Sequence, residues 1–574
     1  MLKNILSQEE QMKTNWTDSV EINNPLPEYP RPQMARRGWQ SLNGPWDYAI
    51  NSSSRHPTEF DGQIIVPFSP ETELSGVQRS LKSGEYLWYR RRVELPEEYA
   101  GKRVLLHFDA VDQEAAVWVN NSMVASHVGG YLPFEADVTD AIEENVMTIT
   151  VRVTDETDKG FHTRGKQKTK RGGIWYTPQS GIWQTVWMEA VPQDYVKSLR
   201  ITPDFDSGTV EIAAETVGET PAYAQFGGFS YALPASIPVP DFEAWSPDHP
   251  KLYGFTVSCG EDLVQSYFAM RKFSVEEDEK GVKRLFLNNK PLFHNGLLDQ
   301  GYWPDGLYTA PTDEALAYDI RMAKAMGYNM LRKHIKVEPL RWYYHCDRLG
   351  MLVWQDMPCG GGSYNPVVVS APLVTGAHMK DSAYGMFGRG NTEGRAEFKA
   401  ELAEMVQHLY NCPCIAMWVI FNEGWGQFDA EKMHDFVRSM DDTRTIDHAS
   451  GWHDQHIGQV RSDHVYFKKY SFKADKYNRA ILLSEFGGYA HRVIGHCFSK
   501  KDFGYKKFEM PAQLEIGLEE LYQQQIKPAV EQGLAAAVYT QVSDVEEEVN
   551  GLLTYDRKVA KVPPEIMQRI TKVV

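Results

Sequence analysis

The chain has 574 residues and a mass of 65.5 kDa, room for about four domains, with two or three also compatible. Lysine and arginine (60) are outnumbered by aspartate and glutamate (77), and the net charge of −17 repels phosphate backbones, which argues against a nucleic-acid partner. The 42 % hydrophobic and 24 % charged residues exclude global disorder, and the absence of any 18-residue apolar run argues against a helical membrane span.

Taken in chain order, residues 1–30 show no periodicity and are expected to form a leader arm. The opening Met1-Leu-Lys-Asn-Ile-Leu has too short an apolar patch for a signal peptide, so a cytoplasmic protein is expected. From Trp39 to Val191 the pattern is all-β. Leu87-Trp-Tyr-Arg-Arg-Arg-Val, Arg103-Val-Leu-Leu-His-Phe, Ala115-Ala-Val-Trp-Val and Met147-Thr-Ile-Thr-Val-Arg-Val are short β-branched and aromatic runs. Turns such as Asn120-Asn121 and Gly129-Gly130 part them, the spacing of a jelly roll. A second all-β stretch, residues 195–272, holds Lys197-Ser-Leu-Arg-Ile, Thr209-Val-Glu-Ile-Ala and Leu252-Tyr-Gly-Phe-Thr-Val, broken by the proline-rich residues 234–240. It suggests an immunoglobulin-like β-sandwich.

After Phe286 strands alternate with helices. Strands are expected at 292–296, 329–334, 352–356, 415–422, 445–449, 464–467, 481–486 and 535–541. Helices are expected over about 313–326, capped by Gly327, and about 393–409 and 513–532. Eight mostly apolar strands in some 300 residues predict a (β/α)8 TIM barrel. Residues 360–391 are too long for a plain connection and read as a lid or rim loop. No G-x-G-x-x-G follows the first strand and no P-loop occurs, so no cofactor is expected. Six cysteines cannot staple so long a chain, and Cys412-x-Cys414 lacks a second pair, so no metal is expected either.

Barrel catalysis sits where strands end. Asn422-Glu423 ends the fourth strand and Glu485 the seventh, with Asp299, Arg332, His334, Trp354, Asp356, Trp452, His464, Tyr466, Thr540 and Gln541 at other ends. Singly, each has a structural reading: a solvated loop glutamate, an ion-pair arginine, a core tryptophan. Two carboxylates at the mouth of one barrel are the minimum machinery of glycoside hydrolysis, one protonating the leaving oxygen and the other attacking the anomeric carbon or activating water. The 69 Trp, Tyr and Phe are in keeping with sugar stacking, though most aromatics are core.

Several motifs extend this reading. Leu42-Asn-Gly-Pro-Trp46, Val128-Gly-Gly-Tyr131, Ser180-Gly-Ile-Trp183-Gln-Thr-Val-Trp187, Trp245-Ser-Pro-Asp-His-Pro-Lys-Leu-Tyr253, Asn422-Glu423 and Ser484-Glu485-Phe-Gly-Gly occur in this order. With them the chain resembles glycoside hydrolase family 2, which contains β-galactosidases, β-glucuronidases and β-mannosidases. The resemblance implies a sugar-binding jelly roll over 31–193, an immunoglobulin-like domain over 194–274 and a catalytic barrel over 275–574. It implies a retaining exo-β-glycosidase with Glu485 as nucleophile, Glu423 as acid/base and Asn422 on the hydroxyl beside the anomeric carbon. Arg332 and Tyr466 would support Glu485, while Asp299, His334, Trp354, Asp356, Trp452 and Gln541 would contact the sugar.

Two departures stand out. The eighth strand reads Val538-Tyr-Thr-Gln, where the family places a tryptophan. No Asn-x-Lys that grips a glucuronate follows the nucleophile; Asn288-Asn-Lys290 precedes the first strand and reads as a hairpin turn. A β-galactoside is therefore expected over a β-glucuronide, unless a first-domain cation such as Arg164 or Lys166 reaches the site. His491, shortly after the nucleophile, is expected at the surface rather than on a galactoside. A β-glucuronidase, a β-mannosidase or a non-catalytic carbohydrate-binding protein remain the alternatives, and a homo-oligomer is compatible with all of them.

Overall fold

The computed structural model describes residues 12–376 and 378–573. Residues 1–11 of the expected leader arm lie outside the described residues. Beyond them the arm is pinned down: Thr14 and Thr17 each donate a hydroxyl proton to Asp305 Oδ2 at 2.6 Å, and Trp16 packs edge-on against Trp303 and Tyr318.

The first β region stacks a six-stranded antiparallel sheet on a four-stranded one. The larger is built on Gly44–Asn51, Tyr86–Glu94 and Val146–Thr154 and the smaller on Arg103–Phe108 and Val186–Val191. Alternate residues of facing strands, among them Leu87, Tyr89, Leu106, Phe108, Ile149, Val151 and Met188, close the core between them. The second region is also a sandwich, of three and four strands around Val196, Ile201, Ile212, Val257, Val264 and Phe268. Its proline-rich stretch is partly strand after all: Ala235–Pro238 pairs with Thr209–Val217 at the sheet edge, the one place where proline's missing N–H costs no ladder bond. Asn288 and Asn289 turn a hairpin, both with positive φ (54° and 62°), as tight two-residue turns require.

The third region is a parallel eight-stranded barrel. Its strands are β1 (His294–Asp299), β2 (Met330–Lys333), β3 (Leu352–Asp356), β4 (Ile415–Val419), β5 (Thr445–Asp447), β6 (Val460–Val465), β7 (Ala480–Gly487) and β8 (Leu534–Thr540). They lie in the order 5-4-3-2-1-8-7-6. Backbone pairing joins every neighbour except β5 and β6, where the Ser462 hydroxyl instead donates to the Asp447 carboxylate. Helices α1 (Asp313–Ala325), α2 (Leu340–Leu349), α3 (Thr392–Leu409), α4 (Ala430–Met440) and α5 (Pro511–Leu521) pack outside, α5 continuing through a wider turn to Gln532. Among the described residues no helix follows β5 or β6. Strand β6 accordingly alternates buried with half-buried side chains, while the other seven are buried throughout. No described helix is long and apolar enough to cross a membrane.

The long loop after β3 is a fastened rim. Gly362 N donates to Gly388 O at 2.7 Å across its root, and Asp381 accepts from Ala430 N at 2.9 Å. Met379 N donates to His453 Nδ1 at 3.0 Å, and Tyr384 Oη to Asp429 at 2.9 Å.

Candidate active site

The apolar strands deliver polar groups to one end of the barrel, and the polar groups there satisfy one another. Arg332, from β2, is fully buried and makes the central contacts. Its Nε and Nη2 hold Asp356 of β3 at 3.0 and 2.9 Å. Its Nη2 also donates to Asn422 Oδ1 at 2.8 Å, and its Nη1 to Glu485 Oε1 at 3.2 Å. Burial opposes the guanidinium charge, but Asp356 and Glu485 outweigh it and hold Arg332 more firmly protonated than usual. Burial also raises the Asp356 carboxyl, more than Arg332 lowers it.

Glu485, on β7, is 5 % exposed. Burial would raise its pKa, but His464 and Arg332 beside it, with the Tyr466 hydroxyl donating to Oε2 at 2.5 Å, bring the carboxyl below its ordinary value. Tyr466 also meets Thr540 Oγ1 at 2.9 Å, and burial followed by the Glu485 charge keeps its phenol protonated and donating. Glu423 takes φ +49°, rare for a side chain with a Cβ, while its N–H donates to Ser450 O at 2.9 Å. The turn aims its carboxylate back over the barrel, where His464 Nδ1 meets Glu423 Oε1 at 2.8 Å and Glu485 Oε2 at 3.4 Å. One oxygen each of Glu423 and Glu485 and one His464 nitrogen all lie within 4.8 Å of one another.

Among the described residues these three are the set of ligating side chains close enough to share a metal ion. The donor set fits one poorly. Arg332 already neutralises Glu485, and His464 Nδ1, the nitrogen facing the carboxylates, is spent on Glu423.

His334, held by Asp356 Oδ2 at 2.8 Å through Nδ1, is kept neutral by burial and by the charge of Lys166, leaving Nε2 as an acceptor. Its neighbour Ile335 takes φ +45°, strained for a β-branched residue, at the bend that aims His334 inward. Asn422 keeps a buried amide nitrogen without a partner, and Trp452 a buried indole N–H, both suited to a hydroxyl-bearing ligand.

Other candidates from the sequence are placed differently. Asp299 is closed off by Lys333 at 2.8 Å and Gly301 N at 2.9 Å. Trp354 is fully buried and gives its N–H to His294 at 3.0 Å, and Gln541 is fully buried between Gln300 and Asn550 at 2.8 and 2.9 Å. His491 is 5 % exposed rather than at the surface, its Nδ1 held by Phe508 O at 3.0 Å. Two groups at the site went unselected by sequence reasoning: His464, recognisable only as a strand-end histidine, and Tyr505, which no motif marks. Tyr505 stacks on Tyr466 with ring centroids 3.7 Å apart and 7° between planes, beside the strand end where a tryptophan is missing.

Residues 79–192 match the sugar-binding domain of glycosyl hydrolases family 2, and residues 279–573, half the chain, match that family's TIM barrel domain. The chain belongs to glycoside hydrolase family 2. A β-galactosidase of Thermoanaerobacter pseudethanolicus is 25 % identical over 62 % of this chain and 47 % of its own length. The chain spans about half the length of the curated relatives it matches. In fold, a β-glucuronidase of an uncultured Clostridium superposes with a TM-score of 0.73 at 19 % identity, covering 94 % of this chain and 99 % of that one. A family 2 β-galacturonidase from Eisenbergiella tayi, bound to galacturonate, gives 0.72 at 18 %, covering 95 % and 99 %.

Proposed function

We propose that this family 2 chain is a retaining exo-β-glycosidase in which Glu485 is the nucleophile and Glu423 the acid/base. The observation that carries the reading is the approach of the two carboxylates to within 4.8 Å. An approach of one oxygen of each to within 4.8 Å supports direct attack, for which carboxyl groups lie about 5–5.5 Å apart, over an inverting pair, which needs about 6.5–9.5 Å to admit a water. In the first step Glu485, held ionised by Arg332 and Tyr466, attacks the anomeric carbon while Glu423 protonates the departing oxygen. Glu423 then takes a proton from water as that water displaces the sugar from Glu485. Arg332 also orients Asn422, whose free amide nitrogen is placed to bind a hydroxyl beside the reacting carbon. The sequence pattern favours a β-galactoside as the glycone. One cation of the site favours a uronic acid instead.

A panel of aryl β-glycosides with NMR of the first-formed anomer tests the mechanism. Retained configuration is expected, and an inverted first product would end the proposal. Glu485→Gln should lower turnover by at least about 10⁴-fold, and Glu423→Gln should spare the first step for dinitrophenyl leaving groups, which need little protonation. A chain that binds sugars but turns over no aryl glycoside would be the carbohydrate-binding protein of the same fold.

A further inference from the structure

In an acidic chain, residues 164–171 read Arg-Gly-Lys-Gln-Lys-Thr-Lys-Arg, five cations in eight residues and no acid. This segment belongs to the first β region, yet it is docked on the barrel mouth. Arg164 N and Gly165 N both donate to Cys359 O, just beyond β3, at 2.8 and 3.0 Å, and Thr163 bridges to Gly360. Arg164 spends its guanidinium on the carbonyls of Gly361 and Gly362.

Lys166 is different. It is only 5 % exposed, and its ammonium forms no hydrogen bond or ion pair with any described residue. Its neighbours are ring faces, Trp425 at 5.5 Å and Tyr176 at 5.6 Å. Trp425 follows the acid/base by two residues and meets His334 edge-on at 6.4 Å, and the Lys166 charge reaches His334 strongly enough to help keep it neutral. The surrounding carboxylates have their own partners. Glu485 has Arg332 and Tyr466, Asp356 has Arg332 and His334, and Glu548 has Tyr176 and Asn550. The side chain is packed between ring faces while its nitrogen stays open to solvent, so the ammonium is free to pair with an anion that enters the site.

We infer that Lys166 is the anion receptor of the glycone site, and that the preferred substrate is a β-linked uronic acid whose carboxylate pairs with it. This rests on the glycosidase reading above and names its substrate class. The lysine arrives from the sugar-binding region rather than from the barrel, so a search for a grip near the nucleophile passes over it.

Aryl β-uronates and their uncharged uronamides, assayed on the same protein, isolate the charge. The unaltered enzyme is expected to prefer the uronate over the uronamide by about 30- to 100-fold in kcat/KM, the scale of one charge-assisted pair. Lys166→Met should collapse that ratio to near unity. A uronate no better than its uronamide, a ratio that survives Lys166→Met, or faster turnover of the neutral aryl β-galactoside would each overturn the proposal while leaving the glycosidase reading intact. If no glycoside of any kind is hydrolysed, the glycosidase reading falls. Calorimetric titration with free glucuronate and galacturonate then decides on the lysine alone: binding lost in Lys166→Met supports it, and no binding to the unaltered protein refutes it.

Discussion

Glu485 and Tyr466 show how one hydrogen bond sets a chemical state. The phenol donates at 2.5 Å to the carboxylate that must stay ionised, and burial would otherwise push that carboxyl up. Tyr466→Phe removes a bond to a charged acceptor, so kcat/KM should fall by about 10- to 100-fold. The acid limb of the pH–rate profile should move upward, because the Glu485 pKa rises once a group lowering it is gone. An unmoved acid limb would show that Tyr466 does not tune the nucleophile. The same side chains bear on metals: with Arg332 neutralising Glu485, chelation by EDTA should leave activity essentially unchanged, and loss restored by magnesium would contradict that.

At the scale of elements, the segment around Gly165 joins the two regions that make the site. Gly165 has φ +59°, and a Cβ there would stand 2.7 Å from Tyr131 Oη, 2.8 Å from Tyr308 Oη and 2.9 Å from Ile335 O. An alanine is both in an unfavourable conformation and without room. Gly165→Ala should therefore cost about 1–3 kcal/mol, read as a lower Tm, and should weaken uronate preference by shifting Lys166. A variant with unchanged Tm would mean the segment adapts freely. Strand β6 carries another lesson: its sequence begins Val460-Arg-Ser-Asp, too polar for a buried strand, so the sequence suggested a start at His464. Its outer side lacks a helix, so alternation replaces the apolar run.

Across the whole molecule, several carboxyls at and near the joint of the first sandwich and the barrel are buried without a cation. Glu401 of α3 accepts from Thr163 Oγ1 at 2.6 Å and is pushed by burial to about 8. Glu71, on Ser180, is likewise raised by burial to about 8, and Asp112, on Gln167, to about 7. Each binds its proton more tightly folded than unfolded. The stability they contribute is complete below the unfolded carboxylate pKa of about 4 and is lost as pH rises through about 7–8. Tm should therefore be higher near about pH 5.5 than about pH 8.5, and Glu401→Gln should shrink the difference. A Tm that climbs over that interval would refute this.

How much was legible beforehand follows from where the information lies. Glu423 and Glu485 could be picked out because a carboxylate ending an apolar run is conspicuous in one dimension, and the eight barrel runs are apolar for the same reason that they are buried. Asn288-Asn289 could be read as a turn because positive φ selects those residues locally. His464 between the carboxylates, Tyr505 on Tyr466, and Trp354 and Gln541 turned toward protein partners could not, since each is a matter of which nitrogen or ring face meets a residue tens or hundreds of positions away. Lys166 lies between the two cases. The sequence offers it beside Arg164 as a first-domain cation that could reach the site, and only the docking of that run on the barrel decides that Arg164 is spent on carbonyls while Lys166 is left between ring faces. The pattern of side chains determined the barrel and its pair of acids; the packing of one region against another decided which charges are left for a ligand.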